Sequence, residues 1–373
     1  MKPPGDSSGD SALFLTPEAP QLGTGGGGLR SASLLEYLTT RYQVQVTSFT
    51  LPPHARHLAA RAWRNGLRML RGVPPLFDRF AGFENQLAPV LLDRRYRVAV
   101  IEHFWCASYA DSIRPHCDLL VLDLHNVESE LAATHARAAG GLESLLHRRF
   151  ADAYRKLERE WIPKFDLVLT ASEQDRARID HPNVVVYPNA LPFLEVPSVA
   201  EENCVVFSGN LEYHPNVEAV RWFASAIWPR LREKNEGLTW NLVGRNPQVV
   251  ASIVKEDPRI KVIGAVADAV AAIATARVVV VPLLSGSGTR FKILEAWAAR
   301  RPVVSTAIGA EGLDAADGKH LLLADDPAAF TGAVQRLLDD PVRRQSIGEA
   351  GRALYLERYT WPLAWKKLAV SGI

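Results

Sequence analysis

Short apolar runs alternate along this chain with longer segments whose apolar residues recur every three or four positions. The runs are Ala12–Thr16, Val44–Phe49, Val98–Ile101, Leu119–Asp123, Leu167–Thr170 and Val184–Tyr187 in the first half. Val205–Ser208, Trp240–Val243, Lys261–Ile263, Val278–Val281, Val303–Ser305 and Leu321–Leu323 follow in the second. They predict strands. Val278–Val281 is apolar at every position, which suits a strand covered on both faces, as in a parallel sheet with helices outside. Between the runs, Val217, Val220, Ala224, Ile227 and Leu231 make a helical stripe. Pro215 or Asn216 suits its start, because Pro costs little at the first helical position and Asn can cap.

Strand–helix alternation repeated in two halves predicts an α/β chain of two doubly wound, Rossmann-like domains. The pattern is interrupted at Pro188–Asn203 by Pro192, Pro197 and Glu201-Glu202. The expected division is therefore a domain over 12–195, a second over 196–358 and a terminal helix within 359–373. That helix is placed at Leu363–Val370, after a break at Thr360–Pro362. No short-period repeat of the solenoid type is present. Doubly wound sheets carry ligands at the carboxyl ends of their strands. Two such ends facing each other would make a cleft for a small molecule.

The length of 373 residues fits two domains with large cores. A net charge of +2, with no dense basic run interleaved with aromatics, gives no support for nucleic acid as a partner. Cys106, Cys117 and Cys204 form no CxxC pair and read as reduced, buried thiols of a cytoplasmic protein. No apolar stretch reaches the ~18–20 residues of a membrane span. Met1–Ser11 is polar and lacks the apolar core of a signal peptide.

Three segments carry candidate chemistry. Gly23–Ser31 contains four consecutive glycines and leads into a helix, so its N–H groups can approach an anion. Gly23, Gly25 and Gly28 formally satisfy GxGxxG, but the first Gly lies about six residues past the strand. The acid expected about 20 residues on is also missing, since Val44–Pro53 has no Asp or Glu. A turn without ligand is the alternative. The second segment, Asp123–Ser129, is a polar cluster directly after a buried strand, where a doubly wound fold puts its site. There His125 either contacts a sugar or phosphate oxygen or ties down a loop, and Asn126 or Ser129 can cap a helix.

The third segment is Ser285-Gly286-Ser287-Gly288-Thr289-Arg290-Phe291-Lys292, running into a helix. Its N–H groups and helix dipole favour a phosphate, and Arg290 and Lys292 add charge where cations are disfavoured without an anion. Glu295 sits among apolar neighbours and wants a partner. Ribose hydroxyls would serve, or Lys292 at i, i+3. The loops Ser208-Gly209-Asn210, Val243-Gly244-Arg245 and Ile263-Gly264-Ala265-Val266 each follow a predicted strand and together line one sheet edge. No Asp-x-Asp, Walker, GxSxG or HExxH motif is present, so no metal site is expected.

With these residues in place, the chain resembles retaining glycosyltransferases of the GT-B fold, family 4 type. The likeness rests on Leu13–Phe49, Leu119–Ser129, Val168–Glu173, Tyr187-Pro188-Asn189 and the stretch from Phe207 to Leu313. Its most specific part is Lys292–Ala299 with Pro302–Thr306 and Gly309–Leu313. The nearest subgroup is similar to bacterial transferases of surface or extracellular polysaccharide synthesis. The resemblance implies two facing Rossmann-like domains, a C-terminal segment after Pro362 that crosses back onto the first domain, and hexosyl transfer with retention from a nucleotide-diphosphate sugar to a glycan or lipid-linked acceptor. It implies no cofactor besides that co-substrate.

Residue by residue, the resemblance implies that Glu295, the second Glu of E-x7-E, binds the donor ribose. It places Gly26 and Gly27 against the diphosphate, His125 near the leaving oxygen, and Gly264 and Val266 beside the base. Gly209, Asn210, Gly244, Ser285, Gly286, Ser287, Gly288 and Thr289 would complete the donor site. Two departures stand out. The first Glu of the motif falls at Ser287, and the family's Arg and Lys after the first strand of the second domain are missing from Leu211–Val217. Arg290 and Lys292 are expected to supply the phosphate charge instead.

Leu58, Ala62, Trp63, Leu67 and Leu70 share a helical face flanked by Arg56, Arg61, Arg64, Arg68 and Arg71, with no acid from Leu51 to Phe77. Such a helix either lies peripherally on the cytoplasmic face of an anionic inner membrane or packs on its own domain. Alternatives to transfer are a nucleotide-sugar epimerase of the same fold and a degenerate nucleotide-sugar-binding protein. Ser287 weighs against the first and for the second. A nicotinamide dehydrogenase fails on the missing acid.

Overall fold

The computed structural model describes residues 11–17, 26–51, 68, 71–138, 140–254, 257–286 and 290–373. Each of the twelve apolar runs is a strand, within two residues at its ends. The chain forms two compact units, Met1–Pro188 with Trp365–Ile373, and Asn189–Ala364.

The first unit holds β1 (Ser11–Thr16), β2 (Gln43–Ser48), β3 (Tyr96–Glu102), β4 (Cys117–Asp123), β5 (Leu167–Thr170) and β6 (Val184–Val186). They pair in the order β2-β1-β3-β4-β5-β6, parallel throughout. The chain steps outward from β1 to β2 and then returns past it to β3, so the winding reverses between β1 and β3. Leu13, Leu15, Ala99, Ile101, Leu120, Leu122 and Val168 form the centre of its core.

The second unit holds β7 (Cys204–Ser208), β8 (Thr239–Val243), β9 (Ile260–Gly264), β10 (Val278–Val281), β11 (Val303–Ser305) and β12 (Leu322–Leu323). Their order is β12-β11-β10-β7-β8-β9, again parallel. Here the winding reverses between β7 and β10. In open α/β sheets the crevice at such a reversal, outside the carboxyl ends, is where ligands bind. Both units therefore present a site position fixed by connectivity alone.

The predicted helical stripe is one continuous rod with an interruption. It runs as His214–Trp222, a π turn at Phe223–Ile227, and Trp228–Lys234. In the π turn Phe223 packs on Trp240 and Phe330 and Ile227 is also buried, before Pro229 enters the last segment's first turn. The terminal helix is Trp361–Val370, starting two residues earlier than expected. Pro362 lies in its first turn, where a missing N–H costs little. No helix of the described residues is long and apolar enough to cross a membrane.

The linker after β6 adheres to the second unit. Leu191 pairs with Thr360, Tyr355 Oη donates to Pro192 O at 2.6 Å, and Arg352 Nη2 donates to Leu194 O at 2.6 Å. Those bonds draw residues 189–195, expected in the first domain, into the second unit. Most of the basic segment falls outside the described residues. Its Arg68 donates to Asp78 at 2.6 Å and is nearly buried.

Candidate functional site

In the second unit the helix Phe291–Ala298 enters at the carboxyl end of β10, beside β7. Its rotation is fixed from behind. Trp297 is fully buried, donates to His320 O at 3.0 Å, and packs so tightly on Gly351 that a Cβ there would stand 2.3 Å from its ring. Arg352 Nη1 takes the helix-end carbonyl of Ala298 at 2.8 Å. Ile293, Leu294, Ala296 and Trp297 face inward, so Lys292 and Glu295 are left on the outer side, each partly exposed.

Lys292 does not pair with Glu295. Its Nζ donates to Asn216 Oδ1 at 2.7 Å and lies 4.3 Å from the centre of the Phe207 ring. Asn216 Nδ2 donates to Asn210 O at 2.7 Å, and Asn246 Nδ2 donates to Asn210 Oδ1 at 3.2 Å. Burial and the adjacent Arg290 charge push the Lys292 ammonium down to about 7, against the pull of Glu295. Burial pushes Glu295 up to about 7, opposed by Lys292 and by the Ser208 hydroxyl. Arg290 is buried, precedes the helix, and donates to Ile308 O at 3.3 Å.

The glycines at these strand ends are forced by crowding. A Cβ on Gly209 (φ 146°) would stand 2.9 Å from Asn216 Nδ2 and 3.3 Å from Lys292 Nζ. One on Gly244 (φ 152°) would fall 1.6 Å from Gly209 O. Gly209 N donates to Val243 O and Gly244 N to Gly264 O, so the three loops form one continuous edge. Val266 stands exposed two residues past β9. Ser285 is fully buried and donates to Glu218 Oε2 at 2.7 Å, and Gly286 backs onto the Arg290 guanidinium. Ser287, Gly288 and Thr289 lie outside the described residues.

In the first unit a buried charge cluster stands at the reversal between β1 and β3. The parallel register sets Glu102 beside Asp123, each the last residue of its strand. Arg30, from the helix Gly26–Thr39 that follows β1, forks both Asp123 oxygens with Nε at 3.0 Å and gives Nη1 to Tyr187 O at 2.6 Å. His125 Nε2 lies 3.3 Å from Glu102 Oε1 and 3.4 Å from Asp123 Oδ2. A Cβ on Gly27 would stand 3.6 Å from His125 Nδ1. His103 holds a strained φ of 62°, packs against His125 at 3.6 Å between ring centres, and stacks with Trp105 at 4.4 Å.

Burial lowers the His125 pKa, but hydrogen bonds and charges from Asp123 and Glu102 outweigh it and raise the value above the ordinary range. Burial and the His125 charge hold His103 well below it. Arg30 and His125 hold Asp123 low despite its burial. One ligand atom from each of Glu102, Asp123 and His125 lies within 4.8 Å of the others, a spacing a metal could use. The Arg30 fork already supplies the countercharge to Asp123, so this trio reads as a charge network.

The structure thus gathers Gly209, Asn210, Gly244, Gly264, Arg290, Lys292 and Glu295 along one edge, and Gly26, Gly27 and His125 in the other unit. Gly23–Gly25 are not described. Glu102 and His103 were missed by the sequence reading, although Glu102-His103 follows the apolar Val98–Ile101 just as Asp123-Leu124-His125 follows Leu119–Leu122. Asn216, which anchors Lys292, reads in the sequence only as a helix cap.

Residues 202–340 match the family described as Glycosyl transferases group 1. That stretch includes every described second-unit site residue named above. An uncharacterised 44.6 kDa protein in the cps region of Klebsiella pneumoniae is 28% identical over 137 residues, covering 34% of this chain and 35% of that one. The fold is that of solved two-domain GT-B glycosyltransferases. Sucrose-phosphate synthase from Thermosynechococcus elongatus superposes with a TM-score of 0.73 at 15% identity, over 97% of this chain and 98% of that one. Anabaena HepE in complex with UDP-glucose gives 0.66 at 16% identity, over 97% and 98%.

Proposed function

We propose that this chain is a glycosyltransferase that moves a hexosyl group, with retention, from a nucleotide-diphosphate sugar to a glycan or lipid-linked acceptor in polysaccharide synthesis. The observation that carries the reading is the edge built by Gly209, Asn216, Arg290, Lys292 and Glu295 at the β7/β10 reversal. Two cations there face a helix start with no side-chain cap, and the backbone at Gly209 approaches too closely for any side chain. That arrangement suits a diphosphate held without a metal, with Glu295 placed to accept from ribose hydroxyls. The match over 202–340 covers these residues. The UDP-glucose complex of HepE and the cps-region relative support the donor class and the role.

In the reaction, the bond from the anomeric carbon to the diphosphate oxygen breaks and the electron pair leaves with the diphosphate. Arg290, Lys292 and the helix N-terminus, in place beforehand, stabilise that developing charge. The acceptor oxygen bonds to the oxocarbenium-like carbon on the same face, and its proton passes to the departing diphosphate.

The test is calorimetric titration of UDP-, GDP-, ADP- and dTDP-sugars, then turnover with the donor that binds. Lys292→Met is expected to weaken that donor about 10- to 100-fold, the worth of a charge-assisted hydrogen bond. Glu295→Gln is expected to weaken the nucleotide sugar yet leave inorganic pyrophosphate unaffected. Unchanged dissociation constants in both variants would refute the assignment.

A further inference from the structure

Within the first unit, His125 stands between two carboxylates and the first turn of a helix. Its Nε2 faces Glu102 Oε1 at 3.3 Å and Asp123 Oδ2 at 3.4 Å. Both are acceptors only, so Nε2 carries a hydrogen. The other nitrogen, Nδ1, makes no hydrogen bond among the described residues and points to Gly27, in the first turn of the 14-residue helix Gly26–Thr39. His125 itself is only 8% exposed. A buried ring thus presents one polar atom to a helix N-terminus, where anions are favoured.

The charge balance decides the state of that atom. Arg30 and Asp123 cancel through their fork. Glu102 remains, fully buried, with Oε2 making no hydrogen bond among the described residues. A poorly compensated buried carboxylate is costly; Arg30 acts on Glu102 through space, and among the described residues His125 is the cationic group within hydrogen-bond range of it. The other ionisable groups around the ring do not compete. His103 is driven neutral by burial and by the His125 charge. Glu128, buried on the next helix, is pushed up to about 8 and stays protonated at neutral pH.

We infer that Glu102 is a positioning residue that, with Asp123 and Arg30, keeps His125 an imidazolium whose Nδ1–H is directed at an anionic oxygen on the Gly26–Gly27 helix end. The strained His103 packs against the same ring, 3.6 Å between centres. The inference rests on the proposed function only for the identity of the oxygen, which then belongs to a phosphate or other anionic group of a substrate. The arrangement itself exists whatever the ligand.

Two measurements test it. Imidazole NMR titration, with His125 assigned through His125→Asn, is expected to give a pKa above the free value of ~6.5. Glu102→Gln should lower it by about one unit or more, the usual effect of losing an adjacent opposite charge, while Glu102→Asp restores most of it. A value unchanged in Glu102→Gln, or already below the free value in the unsubstituted protein, overturns the inference without touching the transferase reading. With a turned-over donor, Glu102→Gln should lower kcat more at pH 8.5 than at pH 6, because the weaker base loses its proton earlier. A loss equal at both pH values would make Glu102 structural and would also overturn the inference. Absence of turnover with every donor would instead sink the proposed function and leave the titration decisive.

Discussion

Lys292 and Glu295 are neighbours whose pKa values converge on about 7 from opposite sides. The signs differ in consequence. Lys292 falls from 10.5, so protonating it opposes folding, and its contribution to stability improves as pH rises from about 7 toward 10.5. Glu295 rises from 4.5, so its contribution is lost as pH climbs from 4.5 to about 7. A bound diphosphate reverses the first of these by restoring a partner to the ammonium. Binding of a nucleoside diphosphate at pH 8 should therefore take up a proton, and affinity should fall as pH rises above about 7. Calorimetry in buffers of different ionisation enthalpy measures this directly, and Lys292→Met should abolish the uptake. The sequence showed the basic pair and the lone acid. It did not show that Lys292 turns to Asn216, because that choice depends on a helix 76 positions earlier in the chain.

Among whole elements, strands were the most legible, since continuous valine runs leave few alternatives to a doubly covered parallel sheet. The helices were less so. The stripe from Val217 to Leu231 has helical spacing throughout, and nothing in it announces the π turn, where Phe223 packs on Trp240. The cluster at β3 and β4 was half visible. Asp123 and His125 were flagged by their place after an apolar strand, whereas Glu102 became informative only once the register set it beside Asp123.

A second buried acid lies where the helices Glu128–Ala138 and Gly141–Trp161 meet. Burial, with Glu158 nearby, pushes Glu128 up to about 8. Glu158 accepts from Ser129 N at 2.9 Å. Because the folded value exceeds 4.5, this group costs stability progressively between pH 4.5 and about 8. Glu128→Gln should remove that cost and raise stability by a few kcal/mol at pH 8.5, with little change at pH 4.5. Urea midpoints at the two pH values read the difference.

At the scale of the molecule, the chain leaves its first unit at Pro188 and returns to it at Trp365. The return is bonded rather than draped. Trp365 Nε1 donates to Ser33 O and Oγ, both at 3.1 Å, Tyr37 Oη donates to Ile373 O at 2.8 Å, and Leu368 is completely buried. Ser33 also accepts from Tyr187 Oη at 2.7 Å, so the last helix braces the same first-unit helix that carries Arg30 and Gly27. The local pattern indicated only a terminal helix, because its partner is more than 300 positions away; the return to the first domain was implied by the family resemblance alone. If the brace holds that helix in register with the Asp123–His125 cluster, loosening it should disturb both stability and ligand binding. Leu368→Ala should destabilise the first unit by about 2–5 kcal/mol, as for other buried leucines. Two-probe unfolding would show that unit melting first. The His125 pKa should drop toward its free value in step, whereas an exposed change such as Val370→Ala should alter neither. A His125 titration untouched by Leu368→Ala would mean that the Arg30 fork positions the helix without help from the returning chain.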